Sequence, residues 1–255
     1  MFFTRFPMHM LLLLLLPAPV HPASFWFVQV TDTHLGDRNS TRNTRWFVGR
    51  VRTLPVPVDF VVHTGDVFME SIGNTNRIAE AKALFARLPW PVHYVAGNHD
   101  AGGGRRDRAW VKHFGPLAHR IIHKGVGLAF VCTTPAVRKV GGGYDMWAAL
   151  TTQLGGLKGR PVILFQHEPP VADFWQNKFR ERWLEPDRTR YAALLRANRN
   201  IKAIITGHAH RDEQHWIAGI PLHIASSISD YWRRQPSFRL WRWDDGRLTY
   251  YTIYK

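Results

Sequence analysis

Five apolar runs in this chain end alike. Phe25-Trp-Phe-Val-Gln-Val-Thr31 leads into Asp32-Thr33-His34-Leu35-Gly36, Asp59-Phe-Val-Val-His-Thr64 into Gly65-Asp66, and Pro91-Val-His-Tyr-Val-Ala96 into Gly97-Asn98-His99-Asp100. Pro161-Val-Ile-Leu-Phe-Gln166 leads into His167-Glu168-Pro169-Pro170, and Ile201-Lys-Ala-Ile-Ile-Thr206 into Gly207-His208-Ala209-His210. Short runs rich in β-branched and aromatic residues, bounded by glycine or proline, read as buried strands. Each strand therefore delivers metal-binding or proton-transferring side chains just beyond its last apolar residue. In an open α/β sheet the crevice lies at the carboxyl ends of the strands, so all five sets are expected to meet in one place.

Helical patterns fall between these strands, over residues 44–53, 77–88, 107–114, 146–154 and 188–197. Ile121-Ile122 and the run from Val126 to Thr133 read as paired strands, and Gln214 to Tyr254 holds several turn-bounded strands and no helix. Strands alternating with helices argue an α/β layer architecture. The strand-rich tail suggests a second sheet packed on the first. Gly102-Gly-Gly104 and Gly141-Gly-Gly143 read as loops within one domain.

The donor set mixes imidazole, carboxylate and amide oxygen, with no thiolate. That mixture suits borderline first-row ions such as Mn, Fe, Co or Zn, and not a structural zinc, which usually takes cysteine. Seven candidates, Asp32, His34, Asp66, Asn98, His167, His208 and His210, exceed what one such ion takes. They suffice for two if one carboxylate bridges.

With its motifs in the order D-x-H, G-D, G-N-H-D, H and G-H-x-H, the chain resembles the calcineurin-like metallophosphoesterase family. The resemblance spans most of residues 24–255 and implies an α/β fold, a four-layer αββα sandwich with two mixed sheets. It implies that Asp32, His34 and His210 bind one metal, that Asn98, His167 and His208 bind the other, and that Asp66 bridges them. His99 resembles the family's histidine that contacts the scissile phosphate and protonates the leaving group, and Asp100 would orient it. Two cations about 3.5–4 Å apart lower the pKa of a shared water and yield a bridging hydroxide at neutral pH. Fixed donors stabilise the developing charge. The expected activity is phosphoester hydrolysis, as a phosphatase or phosphodiesterase.

Some positions carry two readings. His63 and His93 lie inside strands and read as core residues. Many family members have two histidines where this chain has His167-Glu168, and Glu168 reads as a solvated carboxylate or one lying behind the ligands. Arg105 and Arg106 are candidate phosphate clamps, with a solvated charged loop as the alternative. The aromatic and basic stretch from Trp175 to Trp183 reads either as a lid or as plain packing. Cys132, the one cysteine, lies in an apolar run and reads as a buried, inert thiol.

Lys and Arg outnumber Asp and Glu by 34 to 19, for a formal charge of +15. That favours anionic partners. The excess is scattered, apart from Arg105-Arg106 and Arg233-Arg234, which counts against a dedicated nucleic-acid groove; a nuclease on the same metal fold is the competing function. An inactive scaffold is disfavoured because every motif position is filled. Residues 1–23 read as a secretory leader: Arg5 and His9, the apolar run Met10 to Leu16, then a proline- and alanine-rich exit ending at Ala23. An uncleaved anchor is the alternative. That apolar core is short of the roughly 20 residues of a membrane span.

Overall fold

A computed structural model describes residues 24–69, 72–137, 143–171, 183–230 and 232–255. The leader and most of the aromatic stretch that could form a lid lie outside the described residues. In chain order the elements are β1 (Ser24–Val30), α1 (Ser40–Val51), β2 (Val58–His63), α2 (Thr75–Phe85), β3 (Val92–Tyr94), α3 (Gly104–Phe114), β4 (Ala118–His123), β5 (Val126–Val131) and α4 (Thr134–Val137). Then come α5 (Met146–Gly155), β6 (Val162–Phe165), α6 (Glu185–Ala197), β7 (Ile201–Thr206), β8 (Glu213–Ile217), β9 (Ile220–Ile224), β10 (Ser237–Asp244) and β11 (Arg247–Tyr254).

The strands form two mixed sheets, in the orders β11-β10-β1-β2-β3 and β4-β5-β6-β7-β9-β8. Successive side chains on a strand point to opposite faces, and here both faces are buried. On β1, Phe25 and Phe27 enter the layer between the sheets with Phe60, Phe165 and Trp241. Val28 and Val30 turn outward onto Phe47, Val48 and Val51 of α1 and Phe85 of α2. On β6, Ile163 and Phe165 face inward, while Val162 and Leu164 pack outward against Leu150 and Leu154 of α5 and Leu195 of α6. Burial on both faces is why these strands read as unbroken apolar runs. The result is the expected αββα order.

Two expectations change. The five site-bearing strands do not share a sheet: β1, β2 and β3 lie in one, β6 and β7 in the other. Nor does the tail build a sheet of its own. β8 and β9 extend the six-stranded sheet, and β10 and β11 extend the five-stranded one. Periodicity reports that a segment is a strand, but pairing partners are set by long-range contact. Helix starts also move. α1 begins at Ser40, ahead of the expected 44, because its first turn buries polar Ser40, Asn43 and Thr44, which carry no apolar period. α6 begins at Glu185 with proline in its first turn, a position that tolerates the missing N–H.

Candidate metal centre

The two sheets face each other with the site-bearing strand ends at one edge, where the side chains form two sets that share a carboxylate neighbourhood. Asp32, His34 and His210 form one buried cluster and Asp66, His167 and His208 a second, and half-buried His99 groups with His34 and Asp66, with donor atoms in each group lying within 4.8 Å of one another. His34 Nε2 is 3.1 Å from His210 Nε2, and His210 Nε2 is 3.2 Å from Asp32 Oδ1. His167 Nε2 lies 3.1 Å from Asp66 Oδ2. Asn98 Oδ1 lies 3.0 Å from His208 Nδ1. Asp66 Oδ2 faces His34 Nε2 at 3.9 Å and His99 Nε2 at 4.0 Å as well, so this one oxygen looks at imidazoles from both sets.

The backbone reaches this geometry at a cost. Asp32, His34, Asp66, His208 and His210 all adopt positive φ, between 44° and 69°. Non-glycine residues seldom do so, and each instance costs roughly 1–2 kcal/mol. Asp32 is held by three bonds: its N–H donates to Gly65 O (2.9 Å), and its carbonyl accepts from Ser227 Oγ (2.9 Å) and Ser229 N (3.1 Å). The His34 N–H donates to Asp66 O at 3.1 Å. Glycines make the approach possible. A methyl at Gly97 would overlap the Asp66 carboxylate, and one at Gly207 would overlap the Thr31 hydroxyl and the Asp32 carboxylate.

The partners of these side chains leave one lone pair each for the centre. Asp32 Oδ2 accepts from Thr31 Oγ1 (2.7 Å) and His208 N (3.0 Å), whereas Asp32 Oδ1 has no hydrogen-bond partner. His167 Nδ1 lies 2.7 Å from Thr64 O, which can only accept, so Nδ1 carries the proton and Nε2 has no hydrogen-bond partner. A carbonyl behind a ligating histidine fixes tautomer and ring orientation in this way. Asp66 Oδ1 accepts from His99 N at 2.9 Å, leaving Oδ2 for the centre.

Electrostatics point the same way. Burial raises the carboxyl pKa of Asp32, yet His210 and His167 outweigh it and hold the group below the usual carboxylate range. Burial likewise raises Asp66, but His167 and His99 drive it well below that range. Burial opposes charge on His167, yet Asp66 and Asp32 hold its pKa well above the ordinary histidine value. Burial pushes His34 down to about 4, with Asp66 and Asp32 only partly offsetting it. Two buried carboxylates facing imidazole lone pairs demand positive charge between them, and bound cations meet that demand. The donor set and the orphaned Asp32 Oδ1 and His167 Nε2 therefore fit metal ions.

The sequence matches the calcineurin-like phosphoesterase family over residues 25–212. The chain belongs to that family. It is thereby a phosphoester hydrolase by class. Similar solved structures include a dimetal phosphatase from Danio rerio, at 16% identity and TM-score 0.61, covering 90% of this chain and 98% of that one. A purple acid phosphatase from yellow lupin seeds matches at 14% identity and TM-score 0.62, over 92% of this chain and 52% of its own length. The anchor in the inner membrane complex of Plasmodium matches at 13% identity and TM-score 0.59, covering 91% of this chain and 84% of that one. At these identities the likeness establishes the fold. An anchor among the neighbours shows why the site, and not the fold, must carry the function. No curated protein sequence matches.

One expectation is corrected within the family frame, and other positions take one of their two readings. Asp100 does not touch the His99 ring among the described residues. Its buried carboxylate accepts from Gly97 N, Val67 N and Phe68 N at 3.0–3.1 Å, tying the β2 and β3 loops together. Burial, and then the Asp66 charge, push Asp100 up to about 7. The carbonyl of Met69 instead holds His99 Nδ1. Glu168 takes the second of its two readings, behind the ligands: it is fully buried, bonded by Thr133 Oγ1 (2.5 Å) and Thr134 Oγ1 (2.9 Å). Arg105 and Arg106 occupy the first turn of α3 and make no ion pair among the described residues. Trp183, at the end of the stretch that could form a lid, is buried against Tyr191 and Trp147. His63 and His93 are core residues as expected. His63 is buried with Nε2 3.0 Å from Thr33 Oγ1, and His93 packs on Phe60 and Phe130. Burial raises the Cys132 thiol, which keeps it inert.

Sequence reasoning missed Thr64, Met69, Ser227 and Ser229. The first two act through backbone carbonyls, which leave no trace in residue identity. The serines lie far along the chain from Asp32, and no motif marks them.

Proposed function

We propose that the chain hydrolyses phosphoesters at a two-metal centre in which Asp32, His34 and His210 hold one cation, Asn98, His167 and His208 the other, and Asp66 both. The observation that carries this reading is Asp66 Oδ2, which faces His167, His34 and His99 at once. Mn, Fe, Co or Zn suits this mixed nitrogen and oxygen set. When bound, such a pair supplies an activated water and neutralises phosphate charge.

The chain's own residues do the rest. Asp66 is positioned by the His99 backbone N–H, which donates to its Oδ1 at 2.9 Å. His99 stands at the mouth, with its side chain 24% exposed. The Met69 carbonyl can only accept, so His99 Nδ1 holds a proton and Nε2 faces the centre. To protonate a leaving alkoxide, Nε2 must carry a second proton, so the ring enters the reaction as imidazolium and leaves it neutral. Asp100 fixes the two loops that present Asp66 and His99.

The test is turnover of p-nitrophenyl phosphate and bis(p-nitrophenyl) phosphate by protein loaded in turn with Mn, Fe, Co and Zn. Hydrolysis that chelation abolishes is expected. Absence of turnover with every metal would overturn the reading. We also propose, from its leader-like pattern, that the first 23 residues direct export; N-terminal sequencing of the protein from cell fractions checks this. Among the described residues, no helix is long and apolar enough to cross a membrane.

A further inference from the structure

An indole stands at the rim of this centre. Trp232 is 45% exposed, a large apolar surface to leave in water, and its ring lies edge-on to His210 with centroids 6.4 Å apart. His210 is itself 3.2 Å from Asp32 Oδ1 and 3.1 Å from His34 Nε2. The ring is thus one residue removed from the cluster proposed to hold a cation.

The loop that carries Trp232 is anchored to the centre. Ser227 Oγ and Ser229 N donate to the carbonyl of Asp32, and Ile228 N donates to Thr31 O at 3.1 Å. Asp230 accepts from Asn39 Nδ2 at 3.0 Å through its carboxylate and from Arg233 N at 2.8 Å through its carbonyl. Arg233 and Arg234 follow immediately, both exposed, and place two positive charges on the same loop. A planar apolar face beside the proposed metal centre, with exposed cations next to it in the chain, matches one chemistry: a phosphoester whose alcohol part bears a flat ring. Aromatic side chains stack on such rings whatever their identity, because every planar base has a π-face.

We propose that Trp232 is a stacking wall that selects phosphoesters carrying a nucleobase-like planar ring. This rests on the phosphoesterase reading above. The experiment measures inhibition of metal-dependent p-nitrophenyl ester hydrolysis by adenosine 5'-monophosphate and by ribose 5-phosphate, which share their phosphate and sugar and differ in the base. In the unaltered protein the nucleotide is expected to bind about tenfold more tightly than the sugar phosphate. In Trp232→Ala that ratio falls to near one, and in Trp232→Phe most of it returns. Metal content and thermal unfolding of both variants report whether the centre and fold are intact. Equal inhibition by the two compounds in active, unaltered protein overturns the stacking wall and leaves the phosphoesterase standing. A nucleotide preference that persists in folded, metal-replete Trp232→Ala overturns it too. Loss of all ester turnover in the unaltered protein defeats the underlying reading, and the stacking wall with it.

Discussion

The two sheets contribute different chemistry to the same place. The five-stranded sheet supplies every candidate oxygen donor, Asp32, Asp66 and Asn98, together with His34 and His99. The six-stranded sheet supplies imidazoles alone, His167, His208 and His210. Each proposed cation would take donors from both, so metal binding would join the two sheets at one edge while aromatic packing joins them elsewhere. Negative charge is concentrated in one wall. Orientable imidazole nitrogen comes from the other. The wall that carries the charge should therefore be the less forgiving of change.

The largest test of that asymmetry is Asp66→Ala. It should release both cations and lower kcat/KM by roughly 10⁴-fold or more, read by metal analysis and steady-state kinetics. His210→Ala, from the imidazole wall, should lose one cation and keep the other. Equal metal loss in the two variants would break the comparison. Next, His99→Ala should lower kcat by about 10²–10³-fold with metal content unchanged, since its proposed role is proton transfer and not ligation. Chelating the metals should then lower Tm by about 5–10 °C, because a ligand that binds only the folded state at a hundred times its Kd adds about 2.7 kcal/mol. An unchanged Tm would show that the cations do not tie the sheets.

The smallest effect concerns histidines of the six-stranded sheet that face away from the centre. Burial pushes His119 and His223 down to about 4. His223 sits edge-on to Trp241 and Tyr250 between the sheets, and His119 stacks on Phe130. Because their folded pKa values lie below the ordinary 6.5, the unfolded chain takes up protons first. Stability is therefore full above about pH 6.5 and declines as pH falls toward about 4. Denaturant unfolding of chelated protein at pH 7 and pH 5 measures this, and His223→Leu should flatten the acid limb. A pH-independent midpoint would remove the contrast between core and centre histidines.

Much of the centre was legible in the chain order alone. Asp32, His34, Asp66, Asn98, His167, His208 and His210 each follow an apolar run, and local chemistry suffices to read that. The core status of His63 and His93 was legible too, because each falls within an apolar run of the sequence instead of just beyond it. The positive φ values of Asp32, His34, Asp66, His208 and His210 were not, since only surrounding contacts can hold such a conformation. Asp100 illustrates the same limit. Its position beside His99 suggests a partner for that ring, while the structure spends its carboxylate on three backbone amides.

By itself, then, the sequence determined which segments are strands, which side chains stand at their ends and what elements those donors suit. These are short-range properties, set by periodicity and by the chemistry of neighbouring residues. Only the tertiary structure decided that the five strands divide between two sheets, that the tail completes both, and that Met69 and Thr64 set the tautomers of His99 and His167. Those outcomes depend on which backbone groups meet across the fold, and a carbonyl has no residue identity by which to be recognised.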